Sequence, residues 1–340
     1  MSREYTVAVV GATGLVGQTM LAVLAEKKFP VKRIKPLASA RSADTKLTWQ
    51  GEQVTVEETR EDSFAGVDLV LIATGNDISK RFSPIAAREG AIVVDNSSAW
   101  RLDDTVPLVV PEVNPDDVSW HKGIIANPNC STIQMVVALQ PIHKVNPIKR
   151  IICDTYQSVS GTGKEAVEEL RSQVIAYAQG REAEIQPKVY PYQIAFNLFP
   201  HIDVWMEDGS CKEEWKMVRE TRKIMHLTDT RMAFTTVRVP AYFAHSEAVH
   251  VELTNPMSPA EAREVLSQAP GVVVQDDVAK NIYPTPLYAS GKDQVFVGRI
   301  RNTDAFDNGL SLWVVADNIR KGAAANAVQI AELLVQRDLL

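Results

Sequence analysis

A cysteine stands where a polar loop gives way to an apolar run, in the stretch NPNCST of residues 127–132, which IQMVVAL follows. A thiol in the first turn of a helix meets unpaired backbone N–H groups and the positive end of the helix dipole, and both favour the thiolate. Cys130 is therefore a candidate nucleophile. The competing interpretation is a small buried residue that fills a gap near the helix start, since most cysteines are simply buried.

A cysteine nucleophile needs a proton carrier, and His245 is the best placed of the six histidines. It lies in AYFAHSE, a connection between two predicted strands, from which a side chain can reach a cleft. Arg238, in VRVP just before it, suits a bidentate carboxylate, although an exposed strand arginine is the alternative. In YQSVSGTGK, Gln157 could orient an acyl oxygen, and Ser160 and Gly161 form a turn able to approach a cofactor.

The segment KEEWK adds a carboxylate and an ammonium group. Glu213 and Lys216 lie at i and i+3, on one side of a predicted helix. Such a pair is usually a solvated ion pair, and the choice of Glu213 over Glu214 depends on spacing alone.

A glycine-rich turn, GATGLVG, directly follows the first predicted strand and directly precedes a helix. Gly11 permits the tight turn, Gly17 permits close helix packing, and the backbone N–H groups between them can face a pyrophosphate. The candidate cofactor contacts here are Gly11, Thr13, Gly14, Leu15 and Val16. This context favours dinucleotide binding over a purely structural turn.

The end of the second strand decides between the two nicotinamide cofactors. An acidic residue there would bind the ribose of NAD, but the chain has LASARS instead. Ser39, Arg41 and Ser42 offer hydroxyls and a positive charge to a 2′-phosphate, so NADP is predicted. A solvated arginine is the alternative, and Asp44 nearby weakens the case.

The composition of the 340 residues, 45% hydrophobic and 23% charged, is that of a globular protein, and the net charge of −6 argues against nucleic-acid binding. Small molecules are the predicted partners. No apolar run is long enough to span a membrane, and the first strand begins too early for a signal peptide. Three cysteines without disulfide or zinc spacing predict no metal and a reducing, cytoplasmic location.

Strands and helices alternate up to about residue 126, beginning with a strand over 5–10, which predicts a doubly wound, Rossmann-like α/β domain. Beyond it, half-buried strands and amphipathic helices predict an α+β domain with a largely antiparallel sheet. An alanine-rich helix over 316–337 is predicted to end the chain. The expected domains are a nucleotide-binding domain over 1–128, a catalytic domain over 129–317 and a terminal segment over 318–340.

Together these segments resemble aspartate-semialdehyde dehydrogenases over almost the whole chain. The motifs that carry the resemblance are GATGLVG, LASARS, DNSSAWR, NPNCST, QSVSGTGKEAVEEL, YPYQIAFNLFP, RVPAYFAHSEAV and DNIRKGAAANAVQIAELL. Their combination favours the nucleophile interpretation of Cys130.

The resemblance implies a reaction in the biosynthesis of lysine, methionine and threonine. Cys130 would attack the acyl carbon of L-aspartyl 4-phosphate, phosphate would leave, and NADPH would reduce the thioester to L-aspartate 4-semialdehyde. His245 would be the acid/base group and Gln157 would orient the thioester. Arg238 would hold the substrate α-carboxylate and Glu213 its α-ammonium group.

The resemblance also implies further contacts and a homodimer formed through the second domain, with the terminal helix packed on the first. The phosphate site would comprise Arg101, Asn129 and Lys216. The cofactor would contact Thr13 to Val16 at the pyrophosphate, Arg41 and Ser42 at the 2′-phosphate, and Ser160, Gly161 and Asn318 at the nicotinamide.

Two positions depart from the family pattern, and two rival functions are compatible with many of the same motifs. Ala244 precedes the histidine where glycine is common, and Asp44-Thr45 stands where small residues are frequent. One rival is N-acetyl-glutamyl-phosphate reductase, whose substrate has no free amine for Glu213 to bind. The other is a non-catalytic NADP-binding sensor.

Overall fold

Parallel strands form the framework of the first of two structural units, in a computed structural model that describes residues 3–340. This unit ends at Asn129 and takes up the chain again from Gly322 to Leu340; the second unit runs from Cys130 to Lys321. The strands of the first unit are β1 (Tyr5–Val10), β2 (Val31–Ala38), β3 (Lys46–Trp49), β4 (Glu52–Thr55), β5 (Glu57–Glu58), β6 (Leu69–Ile72), β7 (Ile92–Asp95) and β8 (Ile124–Ala126). Its first two α-helices are α1 (Leu15–Glu26) and α2 (Asn76–Arg88).

The residues of β1 show why helices cover both faces of this sheet. Successive side chains of a strand point to opposite faces. Val7 and Val9 accordingly join one apolar cluster with α1, while Ala8 and Val10 join another with α2. Neither face of β1 is left for water, which explains its continuous apolar sequence.

The strand order of this sheet is β5-β2-β1-β6-β7-β8, and all its pairings are parallel. The chain moves outward from β1 through β2 to β5, then returns to β6 on the other side of β1. The order therefore reverses between β1 and β6, which is the point where doubly wound sheets bind ligands. The predicted doubly wound fold is confirmed for this unit.

The second unit is built on a mixed, six-stranded sheet. Its helices are α3 (Cys130–Val145), α4 (Lys164–Ala178), α5 (Lys212–Met225), α6 (Pro259–Ser267) and α7 (Pro286–Ala289). Its strands are β9 (Ile148–Gln157), β10 (Arg231–Arg238), β11 (His245–Leu253), β12 (Val272–Val274), β13 (Val295–Thr303) and β14 (Gly309–Ala316).

The strand order here is β10-β9-β11-β14-β13-β12. The three central pairings are antiparallel and the two outer ones are parallel, which confirms the predicted α+β fold with a largely antiparallel sheet. Helices α3 and α5 pack together, and α3 contacts β9, β11, β13 and β14.

The last helix, α8 (Ala325–Gln336), belongs to the first unit and packs against α1. Here the predicted helix over 316–337 is wrong at its start. Asp317 Oδ1 accepts hydrogen bonds from the backbone N–H groups of Ile319 and Arg320, which ends β14 in a turn, and a π-helical segment, Arg320–Ala324, precedes α8. A local side-chain acceptor thus competes with helix formation in this segment.

Candidate active site

Three of the predicted site residues of the second unit lie together at one end of its sheet, because of the register of their strands. Gln157 ends β9 and pairs with Arg238, which ends the parallel strand β10. His245 begins β11, which runs antiparallel to β9, so its first residue lies beside the end of β9. The predicted side chains therefore come from different strands but share one end of the sheet.

Cys130 and His245 meet at this edge. Cys130 is the first residue of α3, and its Sγ lies 3.3 Å from His245 Nε2. His245 is fully buried, whereas Cys130 is partly exposed. This places a thiol that a substrate can reach in hydrogen-bond contact with a potential base.

The surroundings of His245 favour the neutral form of its imidazole. Burial lowers the pKa of His245 well below its usual value, and the positive charge of Arg238 lowers it further, while the Ala244 carbonyl partly opposes both effects. The second ring nitrogen, Nδ1, lies 3.1 Å from both the backbone nitrogen and the Oγ of Ser158. A neutral imidazole can take up a proton, as a catalytic base must.

Arg238 is buried, with 5% of its surface exposed, so the alternative of an exposed strand arginine is wrong. Its Nη1 donates to the Ser158 carbonyl oxygen over 2.6 Å. Among residues 3–340, no carboxylate forms an ion pair with its guanidinium. A buried charge without an opposite charge is costly, so the remaining N–H donors favour an anionic ligand.

Glu213 lies in the first turn of α5 and is also buried, so the alternative of a solvated pair with Lys216 is wrong. One carboxylate oxygen lies 3.3 Å from Gln157 Nε2 and the other 3.3 Å from Lys216 Nζ. Lys216 also pairs with Asp203 over 2.7 Å. These contacts join the Glu213 carboxylate, the Gln157 amide and the Lys216 ammonium group in one cluster. The cluster lies at the end of the sheet where Arg238 is also found.

The neighbouring Glu214 has a structural role. Its side chain accepts hydrogen bonds from the backbone N–H groups of Cys211 and Thr236, and so ties the start of α5 to β10. Of the two adjacent glutamates, Glu213 is thus the one that contacts Gln157.

The amide of Asn318 organises the connection that leads into His245. Its Oδ1 accepts from Ser158 Oγ, Ser160 Oγ and the Ala244 backbone N–H, at 3.1, 3.2 and 3.0 Å. Ala244 has a φ of 66°, in the left-handed region where glycine is favoured. This conformation explains why a glycine suits the position, and the bond to Asn318 helps to hold alanine in it.

Gly161 lies close to the same residues. A Cβ atom at this position would come within 3.0 Å of Arg238 Nη1 and 3.4 Å of two atoms of the His245 ring. Glycine therefore leaves the space in front of the imidazole open.

The predicted phosphate residues do not all belong to one unit. Arg101 and Asn129 are in the first unit and both are buried, and Arg101 Nη2 donates to the Asn96 carbonyl over 2.9 Å. Lys216 is in the second unit, beside Glu213. Their assignment to phosphate binding stays a prediction.

The turn after β1 has the geometry of a dinucleotide cradle. Gly11 has a φ of 84°, and a Cβ there would lie 2.6 Å from the Ala73 carbonyl oxygen. A Cβ on Gly17 would collide with the Gly11 carbonyl. No side chain caps the N-terminus of α1 after Gly14, so its first N–H groups can bind a pyrophosphate. The residues present fit a dinucleotide.

The end of β2 leads into a short 3₁₀ turn, Ala40–Ser42. Arg41 is exposed there and makes no ion pair or hydrogen bond with another of residues 3–340 through its guanidinium. Ser39 is also exposed and Ser42 half-buried. This arrangement is compatible with a phosphate ligand.

Two residues near the site, Ser158 and Glu247, have no sequence signal that marks them as part of it. Ser158 is fully buried between Gln157 and the His245 ring, and only the fold shows that it touches both His245 and Arg238. Glu247 is fully buried on β11, two residues from His245 and on the same face. The alternation in SEAVHVEL predicted a strand but could not show which charged side chain faces inward.

Because Glu247 is buried, we expect the free energy of unfolding to depend measurably on pH. Burial raises the pKa of the Glu247 carboxyl well above its usual value, and the nearby Gln134 amide offsets part of this effect. The folded protein therefore keeps a proton that the unfolded chain loses, and stability falls as the pH rises from the usual carboxyl range toward the raised pKa.

Replacing Glu247 by glutamine removes this dependence, because the amide is neutral at every pH. Urea unfolding should show Glu247→Gln to be more stable than the unsubstituted protein near pH 7.5, by up to about 1.4 kcal/mol for each pH unit between the two pKa values. The difference should shrink toward about pH 5. The exposed Glu264→Gln is the control. A gain that is independent of pH would show that Glu247 is not a buried, protonated acid.

No group of three or more histidine, cysteine, aspartate or glutamate side chains within residues 3–340 is arranged to hold a metal ion. In the same range, no helix combines the length and apolar character that a membrane span requires.

The fold and the site define a class of protein. A dinucleotide-binding fold in the same chain as a cysteine–histidine pair and a buried arginine is typical of nicotinamide-dependent oxidoreductases that form a thio-intermediate on cysteine. Family models agree: the semialdehyde dehydrogenase NAD-binding domain matches residues 6–121, and the semialdehyde dehydrogenase dimerisation domain matches residues 139–321.

Individual relatives of the chain identify the family within this class. The chain is 55% identical to the aspartate-semialdehyde dehydrogenase of Aquifex aeolicus, over 99% of both chains. It is 52% identical to that of Legionella pneumophila, over 100% of this chain and 98% of the other. The crystal structure of aspartate semialdehyde dehydrogenase II from Vibrio cholerae, complexed with ASA, superposes with a TM-score of 0.95 at 46% identity, over 98% of this chain and 99% of that one. The chain belongs to the aspartate-semialdehyde dehydrogenase family, which confirms the resemblance and the prediction of an oxidoreductase with a nicotinamide cofactor.

Proposed function

We propose that this protein converts L-aspartyl 4-phosphate and NADPH into L-aspartate 4-semialdehyde, phosphate and NADP, in the biosynthesis of lysine, methionine and threonine. The observation that carries the proposal is the 3.3 Å contact between Cys130 Sγ and His245 Nε2, at an edge that also holds the buried Arg238. These groups supply a nucleophile, a base and an anion-binding site.

Each side chain of the second unit has a role that follows from its chemistry. His245 accepts the Cys130 proton, so the thiolate can attack the acyl carbon, and phosphate leaves as the thioester forms. Arg238 binds the α-carboxylate of the substrate and Glu213 its α-ammonium group. Gln157, which lies beside Glu213, orients the thioester carbonyl. Once the thioester carbonyl has been reduced, His245 returns its proton to the oxygen of the hemithioacetal. Collapse of the hemithioacetal breaks its C–S bond, releases the aldehyde and leaves the proton on the Cys130 sulfur.

The unit that contains the glycine turn would hold the pyrophosphate part of the cofactor. We assign the pyrophosphate to Gly11 and to the backbone of Thr13 to Val16, and the nicotinamide end to Ser160, Gly161 and Asn318. When bound, the cofactor supplies the hydride. The phosphate group of the substrate would be held by Arg101, Asn129 and Lys216.

Assay in the oxidative direction tests this function. Purified protein with L-aspartate 4-semialdehyde and NADP should form NADPH only when phosphate is added. Turnover of N-acetyl-glutamate semialdehyde instead would favour the reductase alternative. Binding of NADP without oxidation of either aldehyde would favour the sensor.

We further propose that the cofactor is NADP, held at its 2′-phosphate by Ser39, Arg41 and Ser42. The Arg41 guanidinium is exposed and has no ion pair or hydrogen bond among residues 3–340, which supports this assignment. Arg41→Ala should raise KM for NADP about tenfold or more and change KM for NAD by less than about twofold, because only NADP carries the phosphate.

Initial rates with the two cofactors measure this difference. Arg88→Ala, in the last turn of α2, removes the same charge from an exposed helix end and should leave both constants unchanged. Equal losses for NADP and NAD in Arg41→Ala would contradict the 2′-phosphate assignment.

A homodimer formed through the unit of residues 130–321 is also proposed. The outward face of β9 carries the exposed apolar side chains of Ile152 and Tyr156, and the matching family model is a dimerisation domain. Sedimentation equilibrium should give the mass of a dimer, and a monomer at enzyme-assay concentration would contradict the proposal.

The three cysteines, all within the described residues, form no disulfide, which supports a reducing, cytoplasmic setting.

A further inference from the structure

We propose that Ser158 is a positioning residue whose hydroxyl lets His245 take the proton of Cys130, by accepting a hydrogen bond from Nδ1 of the ring. The inference rests on the proposed role of Cys130 and His245 as the reacting pair. It assigns a function to a side chain that has none in the proposed reaction.

In a neutral imidazole one ring nitrogen carries the proton and the other is an acceptor. A backbone N–H can only donate, and that of Ser158 points at His245 Nδ1 over 3.1 Å. This contact favours the tautomer with its proton on Nε2, the nitrogen that faces Cys130 Sγ. In this tautomer Nε2 has no free lone pair, so it cannot receive the thiol proton.

The Ser158 hydroxyl supports the opposite tautomer. Its Oγ also lies 3.1 Å from Nδ1, and its own proton can be donated to Asn318 Oδ1 over 3.1 Å. When the Ser158 hydroxyl donates its proton to Asn318, a lone pair of Ser158 Oγ faces His245 Nδ1. This lone pair can accept a hydrogen bond from a protonated Nδ1. The Nε2 lone pair is then directed at the Cys130 thiol.

Proton transfer can be written out for this second tautomer. The S–H bond of Cys130 breaks, and its proton forms an N–H bond at Nε2 while the electron pair stays on sulfur. The ring becomes an imidazolium that keeps its Nδ1–H, and that group remains hydrogen-bonded to Ser158 Oγ. No further reactant is needed.

The surroundings of the ring make this acceptor important. Arg238 is the charged group that acts on the imidazole, and it disfavours a second positive charge beside it, as does burial. Cys130 is the titratable group in contact with the ring, and Glu247 lies on the same face of β11. The Ala244 carbonyl makes a smaller contribution that favours the protonated ring. Since Ser158 also binds Arg238 through its own carbonyl, the hydroxyl is fixed in place at the point where the imidazolium forms.

Alkylation of Cys130 by iodoacetamide at a series of pH values tests the proposal without substrate or cofactor. The modified peptide is quantified by mass spectrometry, which separates Cys130 from the buried Cys153 and Cys211. Near pH 7 the alkylation rate depends on the thiolate that forms when Cys130 transfers its proton to His245. Near pH 10 it depends on the thiolate that forms when Cys130 loses its proton to the solvent and the imidazole stays neutral.

Ser158→Ala should lower the alkylation rate about tenfold near pH 7 and leave it close to that of the unsubstituted protein near pH 10. Ser158→Gly, which also keeps the backbone N–H, should behave in the same way. Ser172→Ala is the control, because its hydroxyl donates to the Glu169 carbonyl within α4 and contacts neither His245 nor Asn318. Its alkylation profile should be unchanged.

Three results would overturn the proposal. These are unchanged profiles in both Ser158 variants, an equal loss at every pH, or the same loss in Ser172→Ala. Failure of the proposed function gives a different result, because the semialdehyde would then not be oxidised while the alkylation profiles still depended on Ser158.

Discussion

Replacing Cys130 by serine is expected to lower kcat for semialdehyde oxidation about a thousandfold or more, with the fold intact. A serine hydroxyl is far less acidic than a thiol, and the neutral His245 at 3.3 Å is too weak a base to compensate. The same exchange also replaces the thioester by a less reactive ester. Steady-state rates at saturating phosphate measure the loss, and circular dichroism verifies the fold.

Cys153→Ala is the control for this variant. Cys153 is fully buried in β9, where burial raises the pKa of its thiol well above the usual value, so it is an inert packing residue. Its replacement should leave kcat within about twofold. Retention of more than a few per cent of activity by Cys130→Ser would place the nucleophile elsewhere.

The second large effect is expected for Arg238→Lys, which keeps the charge but loses the planar fork. A lysine cannot bind both oxygens of a carboxylate and cannot reproduce the bond from Nη1 to the Ser158 carbonyl. KM for the semialdehyde should rise about ten- to a hundredfold, the value of one or two charge-assisted hydrogen bonds.

Arg231→Lys provides the matched control. Arg231 begins the same strand, β10, and is exposed, so both kinetic constants should stay unchanged. If Arg238→Lys also had an unchanged KM, Arg238 could not be the carboxylate ligand, and its burial would need another explanation.

Much of the framework could be predicted from the sequence, because local patterns determine it. The apolar run of β1, the glycine turn and the spacing of α1 predicted a parallel sheet with a nucleotide turn. Cys130 was predicted at a helix start and is the first residue of α3. Such features depend on neighbours in the chain, which a sequence shows directly.

Features that depend on distant contacts could not be predicted. The burial of Arg238 and Glu213 follows from the packing of β10 and α5 against the rest of their unit, which the short motifs do not reveal. Ser158 reads as an ordinary loop serine until strand register places it against the His245 ring. The start of the last helix was predicted wrongly because the Asp317 side chain competes with the helix for backbone N–H groups.

The proposed reaction depends on a thioester formed on Cys130. The most direct test mixes the protein with L-aspartate 4-semialdehyde and NADP without phosphate, and follows both NADPH release and the mass of the peptide that contains Cys130. We expect about one NADPH per active site and an aspartyl adduct on Cys130 that disappears when phosphate is added. Continuous NADPH release without phosphate, or an unmodified Cys130 peptide after the burst, would contradict it.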